Sequence, residues 1–211
     1  MSFSSSPPES PFYTLSYPEQ GVLLATINRP GHMNSIPFQG HWDFEKLWTW
    51  FENEVLCKLL SSPGGDMGCC ITKARFSLPE AKRGIYAAAG GLARLMRIVG
   101  LQIASEIAMT GRVISPEEGK AWQFVNRITK THESLIEETL ELAREISQLS
   151  PDALIVTKAG LREAWETGNV EVAVGNIRAQ YDRKIYGGEN LAEGLAAFRE
   201  KRKPNWVKSQ L

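Results

Sequence analysis

At Gly90-Gly91 the hydrophobic pattern turns helical and stays largely so, and that change restricts the possible folds more than any other feature. Before it, short apolar runs rich in β-branched residues are separated by turn residues and by one stretch of helical spacing. After it, apolar positions recur at helical spacing nearly to the last residue. Strands therefore come early and helices late, with a distinct helical C-terminal third and no internal repeat.

Locally, Phe12, Leu15 and Tyr17 open a strand, Pro18-Glu19-Gln20-Gly21 reads as a turn, and Val22 to Ile27 is a second strand, which together predict a hairpin. Asn28-Arg29-Pro30-Gly31 ends it. Phe44, Leu47, Trp48, Phe51 and Val55 then keep the i, i+3, i+4, i+7 spacing of an amphipathic helix that starts near Phe38. Ser61 to Gly68 reads as loop, with short strands expected at Cys69 to Ile71 and Arg75 to Leu78. Helices are predicted over Leu92 to Val99 and Leu101 to Met109, parted by Gly100, and another is opened by Ser115-Pro116-Glu117-Glu118. There Ser caps, Pro takes the first helical position and the acids meet the positive dipole end. A strand at Val125 to Ile128 precedes helices over Ser134 to Leu149, Pro151 to Thr167, Val170 to Tyr186 and Leu191 to Lys201. The division this predicts is a Ser/Pro-rich disordered leader over 1–11, a core over 12–128 and a helical region over 129–211.

Composition narrows the partners. Lys plus Arg equals Asp plus Glu at 24 each, so no global field draws the chain to nucleic acid or an anionic membrane. No window approaches the ~18 consecutive apolar residues of a membrane span. Cys57, Cys69 and Cys70 have neither the even count of a disulfide framework nor zinc-site spacing, and His32, His41 and His132 form no metal pattern. No metal is expected. Nucleophile-elbow, phosphate-loop and dinucleotide fingerprints are also missing. The carboxylate that stands out is Glu80, placed after Phe76, Leu78 and Pro79 and before the small-residue run Ala87-Ala88-Ala89-Gly90-Gly91. A carboxylate against apolar walls suits general acid/base work near neutral pH, although a solvated turn acid would look the same in sequence. The basic cluster of Arg199, Lys201, Arg202, Lys203 and Lys208 fits a helix C-terminus or a phosphate-bearing ligand.

Four stretches, in this order, resemble the crotonase (enoyl-CoA hydratase/isomerase) superfamily. They are Ala25-Thr26-Ile27-Asn28-Arg29-Pro30 with His32-Met33-Asn34-Ser35-Ile36; Ala74 to Glu80 with Lys82-Arg83-Gly84 and Ala89 to Leu95; Ala108-Met109-Thr110-Gly111-Arg112 through Ser115-Pro116-Glu117-Glu118 to Asn126-Arg127; and Glu193-Gly194 with Ala197 to Pro204. The resemblance covers residues 12–52 and about 66–204. It implies an α/β fold, here a truncated crotonase-like spiral of ββα turns followed by a helical C-terminal trimerisation region. The implied substrates are acyl-CoA thioesters in fatty-acid oxidation or secondary-metabolite biosynthesis, with coenzyme A arriving as part of the substrate and no separate cofactor. In that family two backbone N–H groups hold the thioester oxygen while carboxylates move protons, and each such donor is worth about 3–4 kcal/mol.

Carried over residue by residue, the resemblance makes Glu80 the catalytic carboxylate, and sets Asp66-Met67 in the step before it. Arg29 and His32 fall in the loop that approaches the coenzyme, and Phe198 and Lys201 on the helix that lines its pocket. Between Asn53 and Asp66, however, stand only Glu54 to Gly65, where the family has dozens of residues that include both oxyanion loops and the hydratases' second glutamate. Gly64 and Gly65 stand as a remnant of that segment, and Gly64 to Gly68 are the residues left to supply donors. Two expectations follow. One is an enoyl-CoA isomerase/hydratase-like enzyme acting through Glu80, a homotrimer or dimer of trimers. The other is a non-catalytic truncated paralogue or splice product that joins full-length relatives in mixed oligomers. Ser209-Gln210-Leu211 is similar to a peroxisomal Ser-Lys-Leu tripeptide, which sets the expected location as peroxisomal or, failing that, cytoplasmic.

Overall fold

The computed structural model describes residues 5–19, 22–27, 29–32, 36–53, 69–71, 74–88 and 90–211. They divide into two compact units, one formed by Met1–Leu59 with Glu145–Leu211 and the other by Leu60–Arg144. The boundaries thus fall elsewhere than the expected one at residue 128.

In the first unit, β1 (Tyr13–Glu19) pairs antiparallel with β2 (Val22–Ile27), Tyr13 opposite Ile27 and Ser16 opposite Leu24, with an irregularity before Glu19 meets Val22. The first strand runs on through Pro18 and Glu19, which the sequence placed in the turn. α1 (Phe38–Asn53) turns Leu47 and Phe51 onto Tyr13 and Leu23 of the hairpin, with Phe44 and Trp48 packed around them. Leu47 is fully buried, and burial of a leucine stabilises by roughly 1.5–3 kcal/mol. The chain before β1 is bound to this core. Tyr13 Oη donates to the Pro8 carbonyl at 2.9 Å, Ser10 Oγ to Asp43 Oδ2 at 2.9 Å, and Trp50 Nε1 to Ser5 Oγ at 2.8 Å. From Ser5 onward, then, the expected disordered leader is replaced by a tethered segment, because polar side chains of α1 and the tyrosine hydroxyl find partners in it.

In the second unit, β3 (Cys69–Ile71) pairs in parallel with β4 (Arg127–Thr129), the latter starting two residues and ending one residue later than its pattern predicts. The stretch Arg75 to Leu78 forms a single antiparallel bridge, Phe76 to Ile114, instead of a strand. α2 (Gly91–Thr110) is broken at Gly100, whose φ of 80° and ψ of 164° leave the helical region. This yields the two helices expected on either side. α3 (Pro116–Ala121) starts with a capping box, Glu118 N to Ser115 Oγ at 3.2 Å and Ser115 N to Glu118 Oε2 at 2.9 Å. Ile107, Ile114 and Val125 are buried, and Phe76 meets Phe124 edge-on at 5.3 Å. A Cβ at Gly119 would come within 2.9 Å of both Phe124 and Val125, so the bare backbone lets α3 lie against that core.

α4 (Leu135–Ser147) contains the second unit boundary. α5 (Pro151–Thr167) and α6 (Val170–Tyr186) keep the limits read from sequence, under the caps Ser150 and Asn169, and pack on each other. α7 (Glu189–Glu200) ends at Lys201, which adopts a left-handed φ of 53°.

Candidate functional site

Glu80 opens a short 3-10 turn, Glu80–Arg83, directly after Pro79. Backbone bonds close it, Lys82 N to the Pro79 carbonyl at 3.1 Å and Ile85 N to the Glu80 carbonyl at 3.2 Å. The Glu80 side chain is half-buried, and its Oε2 is buried without a hydrogen-bond partner among the described residues. Leaving a buried polar atom unpartnered costs about 1–3 kcal/mol, more for a charged group, so native structures keep few such atoms, often where chemistry needs them. An acceptor left open in this way is equipped to take a proton from a ligand.

The turn rests on the end of α2. Gly111, left-handed at φ 56°, donates its N–H to the Ile107 carbonyl at 3.0 Å. Its own carbonyl accepts from Ser77 Oγ at 3.1 Å and from Lys82 Nζ at 2.8 Å. A Cβ on Gly111 would meet the Leu78 carbonyl, Pro79 Cα and Lys82 Cε, each at 3.2 Å. A side chain there would be strained by the left-handed backbone and would press on those three atoms, so glycine is favoured.

The other expected site residues are distributed as follows. Gly64 and Gly65 lie outside the described residues. Arg29, His32, Phe198 and Lys201 belong to the first unit and Glu80 to the second. The Arg29 guanidinium sits 5.3 Å from the centre of the Phe12 ring, and His32, exposed, ends a 3-10 turn with its N–H on the Arg29 carbonyl at 3.0 Å. Phe198 is 85% exposed on α7, and Lys201 follows it at the left-handed helix end, N–H to the Phe198 carbonyl at 3.4 Å. The structure thus joins Arg29 with His32, and Phe198 with Lys201, as two local pairs.

The first unit also holds a cleft of about 210 Å³ that takes in Lys208 of the basic cluster but none of Arg29, His32, Glu80, Phe198 and Lys201. Asp152, Arg183, Lys184, Gly188, Asn190 and Lys208 line it. Asp152, 6% exposed, accepts from Asn190 Nδ2 at 2.9 Å through Oδ2, and its Oδ1 has no partner among the described residues. Asn190 also takes both backbone groups of Val207, N–H to Oδ1 at 2.9 Å and Nδ2 to the carbonyl at 3.1 Å. Nearby in sequence, Arg202 engages both carboxylate oxygens of Glu193, one of them at 2.9 Å, and the Asn205 N–H adds a third bond. The Arg202 bond, then the Asn205 one, hold the Glu193 carboxyl down to about 2. Ser209, in the tripeptide expected to carry an address, is buried and accepts the Leu211 N–H at 3.2 Å.

Sequence reasoning did not single out Ser77, Lys82 and Gly111 as a group, nor Asp152 and Asn190. The first three stand within stretches that carry the family resemblance, which was the available signal; the last two carried none.

Comparison with known proteins fits this geometry. The profile of the enoyl-CoA hydratase/isomerase family matches residues 64–209. The mevalonyl-coenzyme A hydratase of Aspergillus fumigatus is 32% identical over 258 aligned positions that cover 93% of this chain and 95% of that protein. Its namesake from Beauveria bassiana is 30% identical over 280 positions that cover the whole of both chains. Among solved structures, an enoyl-CoA hydratase from Bacillus anthracis superposes with a TM-score of 0.84 at 19% identity, over 94% of this chain and 100% of that one. With its Pro79-Glu80 turn, its late helices and these likenesses along nearly its full length, the chain belongs to the enoyl-CoA hydratase/isomerase family and has its crotonase-type α/β fold.

Proposed function

We propose that this protein acts on acyl-CoA thioesters as an enoyl-CoA hydratase-like enzyme, with Glu80 as the group that moves the proton. The observation that carries the reading is the buried, unpartnered Oε2 of Glu80 on a turn anchored to α2. A base must be held in place and have a lone pair to spare, and Glu80 meets both conditions. The hydratase names of the relatives support the substrate class. In the proposed step Glu80 exchanges a proton with a carbon next to the polarised thioester carbonyl. With one carboxylate the complete reaction is migration of the double bond; addition of water needs a second acid or base besides. Gly64 and Gly65 are the proposed donors to the enolate oxygen.

Purified protein given a short enoyl-CoA in D2O tests this. Loss of the conjugated thioester absorbance would report hydration or movement of the double bond out of conjugation, told apart by the mass of the added water, and deuterium gained at carbon would report proton transfer. Glu80→Gln should abolish both. Incorporation that survives Glu80→Gln, or no incorporation by the native protein, ends the assignment.

A second reading has its own support. The alignment with the Beauveria bassiana relative runs over 280 positions against 211 residues here, so at least 69 of its positions stand opposite no residue of this chain. Exposed apolar side chains on the C-terminal helices, Leu161, Trp165, Val170, Leu195 and Phe198, suit burial against other subunits. This reading is a non-catalytic subunit of a mixed oligomer. Sizing the chain alone and with a full-length relative decides it, since a chain that elutes identically in both cases does not join.

A further inference from the structure

We infer that Lys82 is a positioning residue for Glu80, and that it works by tying the turn to the carbonyl of Gly111, the residue that caps α2. This inference rests on the proposed role of Glu80.

One oxygen holds both ends of the Glu80 segment. Ser77, three residues before Glu80, and Lys82, two residues after it, both donate to the Gly111 carbonyl, at 3.1 and 2.8 Å. The segment from Ser77 to Lys82 is therefore a loop with both ends fastened to one atom and Pro79-Glu80 at its apex. A 3-10 turn has about three residues per revolution, so side chains two apart point about 120° from each other. Once the Lys82 side chain is fixed on α2, the rotation of the turn is fixed, and with it the direction of Glu80. The Glu80 carbonyl is occupied too, by the Ile85 N–H at 3.2 Å, which closes the turn from its far side.

The partner suits the task. Helix ends carry unsatisfied carbonyls and a partial negative charge, so an ammonium group is favoured there. Gly111 is the place where the chain leaves α2, and its missing Cβ leaves room for Leu78, Pro79 and the Lys82 stem at 3.2 Å. Lys82 is otherwise exposed, so it adds little to the core and can be replaced without unfolding the unit. Its ammonium already bonds to backbone, which distinguishes it from a cation waiting for a phosphate.

The test compares Lys82→Met, Lys82→Arg and Glu80→Gln by deuterium incorporation into enoyl-CoA and by amide exchange of the native protein. A base displaced by a fraction of an ångström loses rate at unchanged binding, so Lys82→Met should lower kcat about tenfold, with KM within about twofold. Lys82→Arg, which still reaches the carbonyl, should restore most of the loss. The Ile85 amide should exchange at least about fivefold faster in Lys82→Met, and this readout applies even if the native protein turns nothing over. If Glu80→Gln abolishes incorporation while Lys82→Met changes neither kcat nor Ile85 exchange, the positioning role is overturned and the Glu80 assignment stands. A loss confined to KM would mark Lys82 as a coenzyme contact and would also overturn it. Active Glu80→Gln protein removes the assignment on which the inference rests.

Discussion

Two carboxylates, Glu80 and Asp152, each keep one buried oxygen without a hydrogen-bond partner among the described residues, and their surroundings otherwise have little in common. Asp152 is 6% exposed, sits in the first turn of α5 and has its other oxygen bound to Asn190, which in turn holds both backbone groups of Val207. Glu80 is half-buried in a turn of four residues, and its backbone is what holds it, through Lys82 and Ser77 on Gly111. In the first case the side chain is the fastener. In the second the fasteners surround the side chain and leave it open. An unpartnered oxygen alone does not mark a reagent; the distinction lies in whether the remaining bonds of the carboxylate are used to hold the fold.

Glu80→Gln should give the largest effect that separates the two. A general base typically contributes 10²–10⁴-fold, so proton exchange into enoyl-CoA should fall about a thousandfold with the melting temperature unchanged. A large drop in thermal stability with the loss would mean that Glu80 fastens the fold as Asp152 does. Next comes Asn190→Ala. It removes the partner of a buried carboxylate and leaves the Val207 N–H and carbonyl without theirs, a loss of about 2–4 kcal/mol and roughly 5–10 °C in melting temperature. A melting curve that does not move would show that the Asp152–Asn190–Val207 chain of bonds contributes nothing. Asp152→Asn should do less, within about 1 kcal/mol, because an amide oxygen can still accept from Asn190 and the group gives up its charge together with its unpartnered anionic oxygen. If Asp152→Asn abolished proton exchange while leaving the melting curve alone, the two carboxylates would have exchanged roles.

Much of this was legible in residue order wherever the determining contacts are local. The limits of α5 and α6 follow from Ser150-Pro151, Gly168 and Asn169, and the break at Gly100 and the capping box at Ser115 are likewise local signals. The errors occur where distant residues decide. β4 is set by its pairing with Cys69–Ile71, which shifts it from its apolar run, and the strand expected at Arg75 to Leu78 shrinks to one bridge because only Phe76 finds a partner, Ile114. Residues from Ser5 are ordered by Tyr13, Asp43 and Trp50, none of which a Ser/Pro-rich composition reveals. At the site, Glu80 was found because its motif is contiguous. Lys82 and Ser77 reach a carbonyl about thirty residues further on, and Asp152 meets Asn190 38 positions away, so neither pattern exists until the chain folds.

A third carboxylate completes the comparison, because Glu193 has both oxygens partnered. Arg202 binds the two oxygens and the Asn205 N–H shares one, which lowers its carboxyl from 4.5 to about 2, Arg202 being the larger cause. A carboxyl held lower in the folded than in the unfolded chain adds stability that is complete above the unfolded value, and that is lost as pH falls through the folded one. The contribution should therefore be constant above about pH 5.5, shrink below about 4.5 and vanish only below about 2. Melting temperatures of native protein and Glu193→Gln across pH 2–8 measure it as a gap that closes on acidification. Because Glu193 stands near solvent, the gap should be the smallest of these effects and should narrow further in salt. A gap of constant width over that range, or one that widens toward pH 2, would mean that the Arg202 and Asn205 bonds do not depend on the Glu193 charge, and that this segment is held by Asn190 and packing alone.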